Sequence, residues 1–164
     1  MKYGITGHTS GIGKALFETL PNSKVFSRSN GYNINNKHDR RRIIEESNNC
    51  DIFINNAQDA FGQTLLLLEL FCNWKDTNKT IINIGSIIAE DKTILKNYEH
   101  LLEYQIQKKS LRILHNDLVN LDTAINLKYV YFGYVGTERI LKKYPNMTTD
   151  MYITVAAAVD KILA

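Results

Sequence analysis

The sequence predicts an α/β fold, in which a doubly wound parallel sheet of six or seven strands is covered by helices on both faces, in three layers. Short apolar runs alternate with helical patterns along all 164 residues. The apolar runs are nearly continuous, which is typical of strands buried on both faces of a parallel sheet. No internal repeat or linker interrupts the pattern, so we expect a single domain over residues 1–164.

Each element follows from its own pattern. Five apolar runs predict strands at Lys2–Thr6, Lys24–Ser27, Asp51–Ile54, Thr80–Gly85 and Ala124–Tyr131. Five periodic segments predict helices at Gly11–Leu20, Lys37–Asn48, Phe61–Trp74, Tyr98–Leu121 and Thr149–Leu163. Pro21 ends the first helix, because proline cannot continue it. The fourth helix is long and amphipathic, with apolar side chains at helical spacing.

Composition and charge exclude several classes of function. The chain is 44% apolar and 23% charged, and its net charge is only +3, so we expect no nucleic-acid partner. The basic run Arg40–Arg42 predicts the solvated outer face of a helix. Two cysteines outside any CxxC and four scattered histidines predict reduced thiols in a cytoplasm and no metal site. A first strand beginning at Lys2 and the lack of a long apolar run predict a cytoplasmic protein without a membrane segment.

The most informative segment lies between the first strand and the first helix. There Gly7, Gly11 and Gly13 permit a tight turn, close approach to a pyrophosphate and close packing of helix on strand. The helix N-terminus offers free N–H groups and the positive end of a dipole to phosphates. In this strand–turn–helix context the pattern predicts a Rossmann-like, NAD(P)-binding domain rather than a merely structural turn. We expect the cofactor to contact Thr6, Gly7, His8, Thr9, Ser10, Gly11, Ile12 and Gly13.

The end of the second strand bears on the choice of cofactor. An acidic residue at this place would bind the 2′-hydroxyl of NAD, whereas a basic residue favours the 2′-phosphate of NADP. The strand ends in Phe26-Ser27-Arg28-Ser29, and the planar guanidinium of Arg28 suits a phosphate. The sequence therefore favours NADP(H), while NAD(H) stays open because Arg28 has the alternative of being a plain surface residue.

Five segments, in the expected order, resemble motifs of the short-chain dehydrogenase/reductase family. Thr6–Gly13 resembles its reductase-type glycine motif, and Asn55–Gln58 its Asn-Asn-Ala-Gly. Ile84–Ser86 resembles the segment with the active-site serine, Tyr104–Lys108 its Tyr-x-x-x-Lys, and Phe132–Thr137 its Pro-Gly-x-x-x-Thr. The resemblance covers nearly the whole chain and implies an unusually short member of the family. It implies further cofactor contacts at Arg28, Ser29, Asn33, Ile34, Asn55, Asn56, Ala57, Gly133, Val135 and Thr137.

The catalytic residues that the resemblance implies are Ser86, Tyr104 and Lys108. The spacing also makes chemical sense by itself, because Tyr104 and Lys108 share one helical face. A free phenol has a pKa of about 10, and a nearby ammonium would lower it. The tyrosine would then protonate a carbonyl oxygen or deprotonate an alcohol, while the serine positions the substrate oxygen and the lysine also holds the nicotinamide ribose. Tyr98 is a weaker candidate, because its i+4 neighbour is Leu102 and carries no charge.

Two departures from the family pattern leave alternatives open. The asparagine that often completes the catalytic set is not evident, and Gln63 or Asn73 are weak substitutes. The segment Glu138–Met147 is short and predicts only a small flap, hence an open active site.

The leading hypothesis is an NADP(H)-dependent oxidoreductase acting on a small carbonyl or alcohol, and the alternative is a non-catalytic NAD(P)-binding sensor or regulatory protein. The resemblance implies that Leu65–Leu68 and the long helix pair subunits of a homodimer or homotetramer, although core packing explains these leucines almost as well.

Overall fold

The computed structural model describes the backbone of residues 1–164 and every side chain except that of Leu95. The strands of this described chain are β1 (Tyr3–Thr6), β2 (Lys24–Phe26), β3 (Ile52–Asn55), β4 (Thr80–Ser86) and β5 (Asn126–Phe132). They form one parallel sheet in the order β2-β1-β3-β4-β5. The predicted doubly wound parallel sheet is confirmed, but six or seven strands is wrong. The chain after β5 adds only an isolated bridge between Val135 and Ile153 to the pairing.

Helices connect the strands on both faces of the sheet. They are α1 (Gly11–Thr19), α2 (Lys37–Glu46), α3 (Gly62–Trp74), α4 (Ile94–Asn97), α5 (Leu102–Val119), α6 (Glu138–Lys143) and α7 (Val155–Leu163). Helix α7 begins six residues later than predicted because the Thr154 hydroxyl caps it, accepting a hydrogen bond from Ala157 N at 3.1 Å. Helix α5 begins at Leu102 because a separate 3₁₀ turn precedes it. None of the described helices combines the length and apolarity needed to cross a membrane.

The core lies in two layers, one on each side of the sheet. Helices α2, α3 and α5 pack on one face around Phe53, Leu70 and Leu111, and α1 and α7 pack on the other around Ile54 and Leu16. The strand order reverses between β1 and β3, and in doubly wound sheets ligands bind outside the carboxyl ends of the strands at such a point. The glycine turn and Asn55–Gln58 follow these two strands, so the topology brings them to the same crevice.

The basic run on α2 is only partly solvated. Arg41 is exposed as predicted, but Arg40 is buried. Its Nη1 donates to the Ile34 carbonyl at 2.8 Å and its Nη2 to the Glu69 carboxylate at 2.9 Å. The prediction that the whole run is a solvated face was therefore wrong at Arg40, because a buried charge is tolerated where a carboxylate pairs with it.

Candidate functional site

Backbone geometry in the loop between β1 and α1 favours glycine. Gly7 and Gly11 have φ angles of +75° and +55°, which side chains rarely allow. A Cβ on Gly13 would lie 2.0 Å from the Gly7 carbonyl oxygen, so α1 packs directly on the turn. Ser10 is the N-cap of α1, but its side chain accepts no hydrogen bond from the backbone N–H groups of this described helix. Both Thr9 and Ser10 are exposed. The first N–H groups of α1 are therefore available to an anion.

Thr6 joins this loop to the one after β3. Its hydroxyl oxygen accepts hydrogen bonds from Asn56 N and Ala57 N, both at 3.0 Å. The Asn56 amide donates to the Thr6 carbonyl, also at 3.0 Å. Because the Thr6 side chain is fully buried, it positions Asn56 and Ala57, and the contact of Thr6 with the cofactor stays a prediction.

Two other predicted cofactor residues turn inward. Asn55 is fully buried, and its amide donates to the Gln63 carbonyl and to Asn83 Oδ1, each at 3.0 Å. Ile34 lies in the core beside α2 and α3. These side chains fix the walls of the crevice from inside, and their predicted contact with the cofactor stays a prediction.

Arg28 lies just after β2 with its side chain 78% exposed. Its Nη1 is 3.7 Å from Asp59 Oδ2 across the crevice. An exposed pair at this distance is weak, so the guanidinium remains accessible to a phosphate that competes with Asp59.

Ser29 and Asn33 shape the loop after β2. The Ser29 hydroxyl lies 2.7 Å from that of Ser27. Asn33 N donates to Asp39 Oδ2 at 3.0 Å. These bonds hold the loop around Arg28, and the side chains stay close to the surface.

Lys108 is buried at the inner end of the site. Only 3% of the residue is exposed, and its Nζ donates to Gln63 Oε1 at 2.8 Å and to the Ile84 carbonyl at 3.0 Å. The same nitrogen is 5.8 Å from the centre of the Tyr104 ring, one helical turn earlier. Sequence reasoning gave Gln63 little weight, because the contact crosses from α3 to α5 and leaves no local signal.

Tyr104 is 36% exposed and faces Ser86 at the end of β4. Burial raises the pKa of Tyr104, while the Ser86 hydroxyl and the Arg139 guanidinium lower it. Burial alone lowers the pKa of Lys108 to about 7. The prediction that Lys108 lowers the pKa of Tyr104 is therefore wrong. The lysine Nζ is turned toward Gln63 and Ile84, and burial of the phenol raises its pKa.

The segment after β5 closes the third side of the crevice. Thr137 Cγ2 would lie 3.2 Å from a Cβ on Gly11, so this threonine contacts the glycine turn. Gly133 lies against Ile87, and Val135 is buried. The Thr137 hydroxyl accepts a hydrogen bond from Ile140 N at 3.4 Å and begins α6. Arg139 on this helix acts on Tyr104, a proximity that the sequence did not indicate.

His8 carries a buried polar atom at the turn itself. Its ring packs edge-on against Phe17 with the centroids 5.6 Å apart. Its Nδ1 has no hydrogen-bond partner among the described residues, and burial lowers its pKa. An unpartnered nitrogen beside the open N-terminus of α1 is consistent with a ligand-binding turn. The turn, the exposed N–H groups and Thr137 together fit a dinucleotide.

Comparison with solved structures identifies this arrangement of strands and helices. A short-chain dehydrogenase from Burkholderia cenocepacia in complex with NADP matches with a TM-score of 0.73 and 19% identity, over 99% of this chain and 82% of that one. The 3-alpha-hydroxysteroid dehydrogenase of a Pseudomonas species, complexed with NADH, matches with a TM-score of 0.70 and 15% identity, over 99% and 88%. A short-chain dehydrogenase from Sphingobium yanoikuyae in complex with NADPH gives 0.70 and 18%, over 99% and 82%.

These likenesses show the fold. The protein has the fold of short-chain dehydrogenases/reductases, as the sequence motifs implied. No protein-family model and no curated protein matches the chain.

Proposed function

We propose that this protein, which has the fold of short-chain dehydrogenases/reductases, is an NADP(H)-dependent oxidoreductase that interconverts a carbonyl and an alcohol. The observation that carries the proposal is the grouping of Ser86, Tyr104 and Lys108 at the carboxyl end of β4, beside a turn suited to a diphosphate. A pure nucleotide-binding protein has no need of a buried lysine behind a phenol that faces a serine. The similar solved structures with bound NADP, NADH or NADPH add support.

Three parts of the cofactor would bind to different parts of the crevice. The turn at Gly7–Gly13 and the N-terminus of α1 would hold the diphosphate. Arg28 would bind the 2′-phosphate of NADP, and Thr137 would meet the nicotinamide end. A bound nicotinamide would supply hydride to the substrate carbon, or accept it in the reverse direction.

Tyr104 is the proton donor in the direction of reduction. Its raised pKa keeps the phenol protonated at neutral pH, so a proton is available for the carbonyl oxygen as its charge develops. The Ser86 oxygen already accepts a hydrogen bond from Ile88 N at 3.3 Å. The Ser86 proton, which faces the Tyr104 oxygen in this structure, would be shared with the substrate oxygen once a substrate binds. In the direction of oxidation the same phenol, once ionised, would take the proton of the alcohol.

The experiment compares Tyr104→Phe with the wild type. Purified protein is screened against small aldehydes, ketones and alcohols by following nicotinamide absorbance, and NADPH binding is measured by fluorescence. We expect Tyr104→Phe to lose turnover by at least about 100-fold, typical of removing a general acid, with NADPH affinity unchanged. Tyr98→Phe is the matched control, since Tyr98 lies outside the described contacts of Lys108 and should keep full activity. Tight NADPH binding without turnover by the wild type would favour a sensor or regulatory protein instead.

We also propose that two copies associate through α3 and α5. These helices pack side by side, and Leu65, Leu68, Ile106 and Ile113 remain exposed on them. Apolar side chains grouped on an exposed face are typical of an interface between subunits. Light scattering behind size exclusion is expected to give the mass of a dimer or tetramer, and a strict monomer at micromolar concentration would contradict the proposal.

A further inference from the structure

Gln63 has a buried side-chain amide that joins three elements of the fold. It is the second residue of α3 and is 1% exposed. Its Nε2 donates to the Asn55 carbonyl at the end of β3, at 2.7 Å, and to the Ile84 carbonyl on β4, at 3.0 Å. Its Oε1 accepts from Lys108 Nζ on α5 at 2.8 Å. Both amide protons and the amide oxygen are therefore used.

The orientation of this amide is fixed by its partners. The Asn55 and Ile84 carbonyls can only accept hydrogen bonds, and the protonated amine of Lys108 can only donate them. A rotation of the amide by 180° would turn its NH₂ group toward the ammonium and its oxygen toward two carbonyls. Because all three contacts would be lost together, the side chain has one favourable orientation.

Lys108 depends on this amide for its charged form. No carboxylate among the described residues forms an ion pair with it. Among the described residues its Nζ has two acceptors, Gln63 Oε1 from α3 and the Ile84 carbonyl from β4. The ring of Tyr104, one turn earlier on α5, is centred 5.8 Å from the same nitrogen. Hydrogen bonds to the charged form favour that form, so loss of Gln63 Oε1 would remove one of the two groups that oppose desolvation.

We propose that Gln63 is a positioning residue that holds Lys108 against the end of β4, so that the lysine stays behind Tyr104 and Ser86. This inference rests on the proposed function. It makes Gln63 the fourth residue of the site, beside Ser86, Tyr104 and Lys108, where the sequence has no asparagine to complete the set. Asn73, the other candidate, is exposed and donates only to Glu69 of its own helix at 2.8 Å.

The first test reads Lys108 directly and needs no turnover. The ¹⁵Nζ resonance of Lys108 is titrated by NMR in the wild type, in Gln63→Met and in Asn73→Met, and Lys108→Met identifies the signal. Methionine matches glutamine closely in length but lacks its hydrogen-bonding atoms. We expect the midpoint of the titration to fall by about one pH unit in Gln63→Met, because the ammonium loses an acceptor while its burial persists. Asn73→Met should titrate as the wild type does.

The second test reads catalysis with the same variants. We expect kcat in Gln63→Met to fall about 100-fold, as misplacement of a group near the reacting atoms does, with a smaller change in KM for NADPH. Where kcat changes with pH because Lys108 titrates, the midpoint of that change should shift in the same direction as the NMR midpoint. Gln63→Glu places a carboxylate beside the lysine and should move both midpoints, that of the NMR titration and that of kcat, to higher pH.

The outcomes separate the inference from the function on which it rests. An unchanged Lys108 titration in folded Gln63→Met and Gln63→Glu would overturn the positioning role, even if the wild type is active. If the Lys108 titration shifts in the Gln63 variants but the wild type shows no turnover, the Gln63–Lys108 contact is kept and the oxidoreductase is rejected. If both variants lose their circular dichroism and cooperative melting, Gln63 is a structural residue and the proposal is overturned.

Discussion

Replacement of Gly13 by alanine tests whether α1 truly packs on the glycine turn. A Cβ at this position would lie 2.0 Å from the Gly7 carbonyl oxygen and 2.7 Å from Asn56 Nδ2. Ordinary van der Waals contacts begin at 3.4 Å, so the first contact is about 1.4 Å too short. The Gly7 oxygen belongs to the backbone and cannot rotate away. The turn or the helix must therefore move as a unit.

Two opposing effects set the size of the change. Alanine is the better helix former and would stabilise an unhindered helix by about 1 kcal/mol. Overpacking of a tight contact costs about 1–3 kcal/mol, and here the backbone sets the upper part of that range. We expect a net loss of about 1–2 kcal/mol, which lowers the melting temperature by about 2–8 °C in a domain of this size. Displacement of the turn should raise the Kd for NADPH at least about tenfold, as loss of roughly 1.4 kcal/mol of phosphate binding does.

The assay combines thermal melting with fluorescence titration of NADPH well below the melting temperature. Gly4→Ala is the control for stability alone, because its Cβ would lie 2.8 Å from a Phe53 ring carbon in the core and not in the turn. That variant should melt lower and yet bind NADPH with wild-type affinity. A Gly13→Ala protein that is as stable as the wild type and binds NADPH within twofold of it would refute the packing argument.

Other perturbations address cofactor choice and pH. Arg28→Gln should raise the Kd for NADPH about tenfold and leave that for NADH unchanged, because an exposed charged hydrogen bond is worth about 1.5 kcal/mol; Arg41→Gln, on the exposed face of α2, should change neither, and equal losses for both cofactors would reject the role. Asp59→Asn should tighten NADPH binding a few-fold by removing the competitor 3.7 Å from Arg28. Because the pKa of Tyr104 is raised, alcohol oxidation should increase about tenfold per unit between pH 8 and 10, and a plateau below pH 8 would contradict this. Arg139→Gln removes a charge that lowers that pKa and should move the rise to higher pH.

Local sequence patterns determined most of the fold. The five strands that the apolar runs marked all exist within a few residues of their predicted bounds. The loop between β1 and α1 also follows from its glycines, because Gly7 and Gly11 adopt positive φ angles that other residues rarely allow. The predicted sixth and seventh strands are absent from the described sheet, since only five apolar runs form strands and the chain after β5 contributes one isolated bridge. The predicted starts of α5 and α7 were too early, because the residues before each helix were apolar enough to fit a helical pattern. A separate 3₁₀ turn decides where α5 begins, and the Thr154 cap decides where α7 begins.

The sequence by itself determined which residue types lie at the carboxyl ends of β1, β3 and β4, because strand and turn patterns are local. Only the tertiary structure decided the partners of buried charges. It turned Lys108 toward Gln63, buried Arg40 against Glu69 and set Arg139 near Tyr104. These contacts join elements far apart in the chain, and the direction of a pKa depends on burial and on such neighbours, neither of which a local pattern encodes.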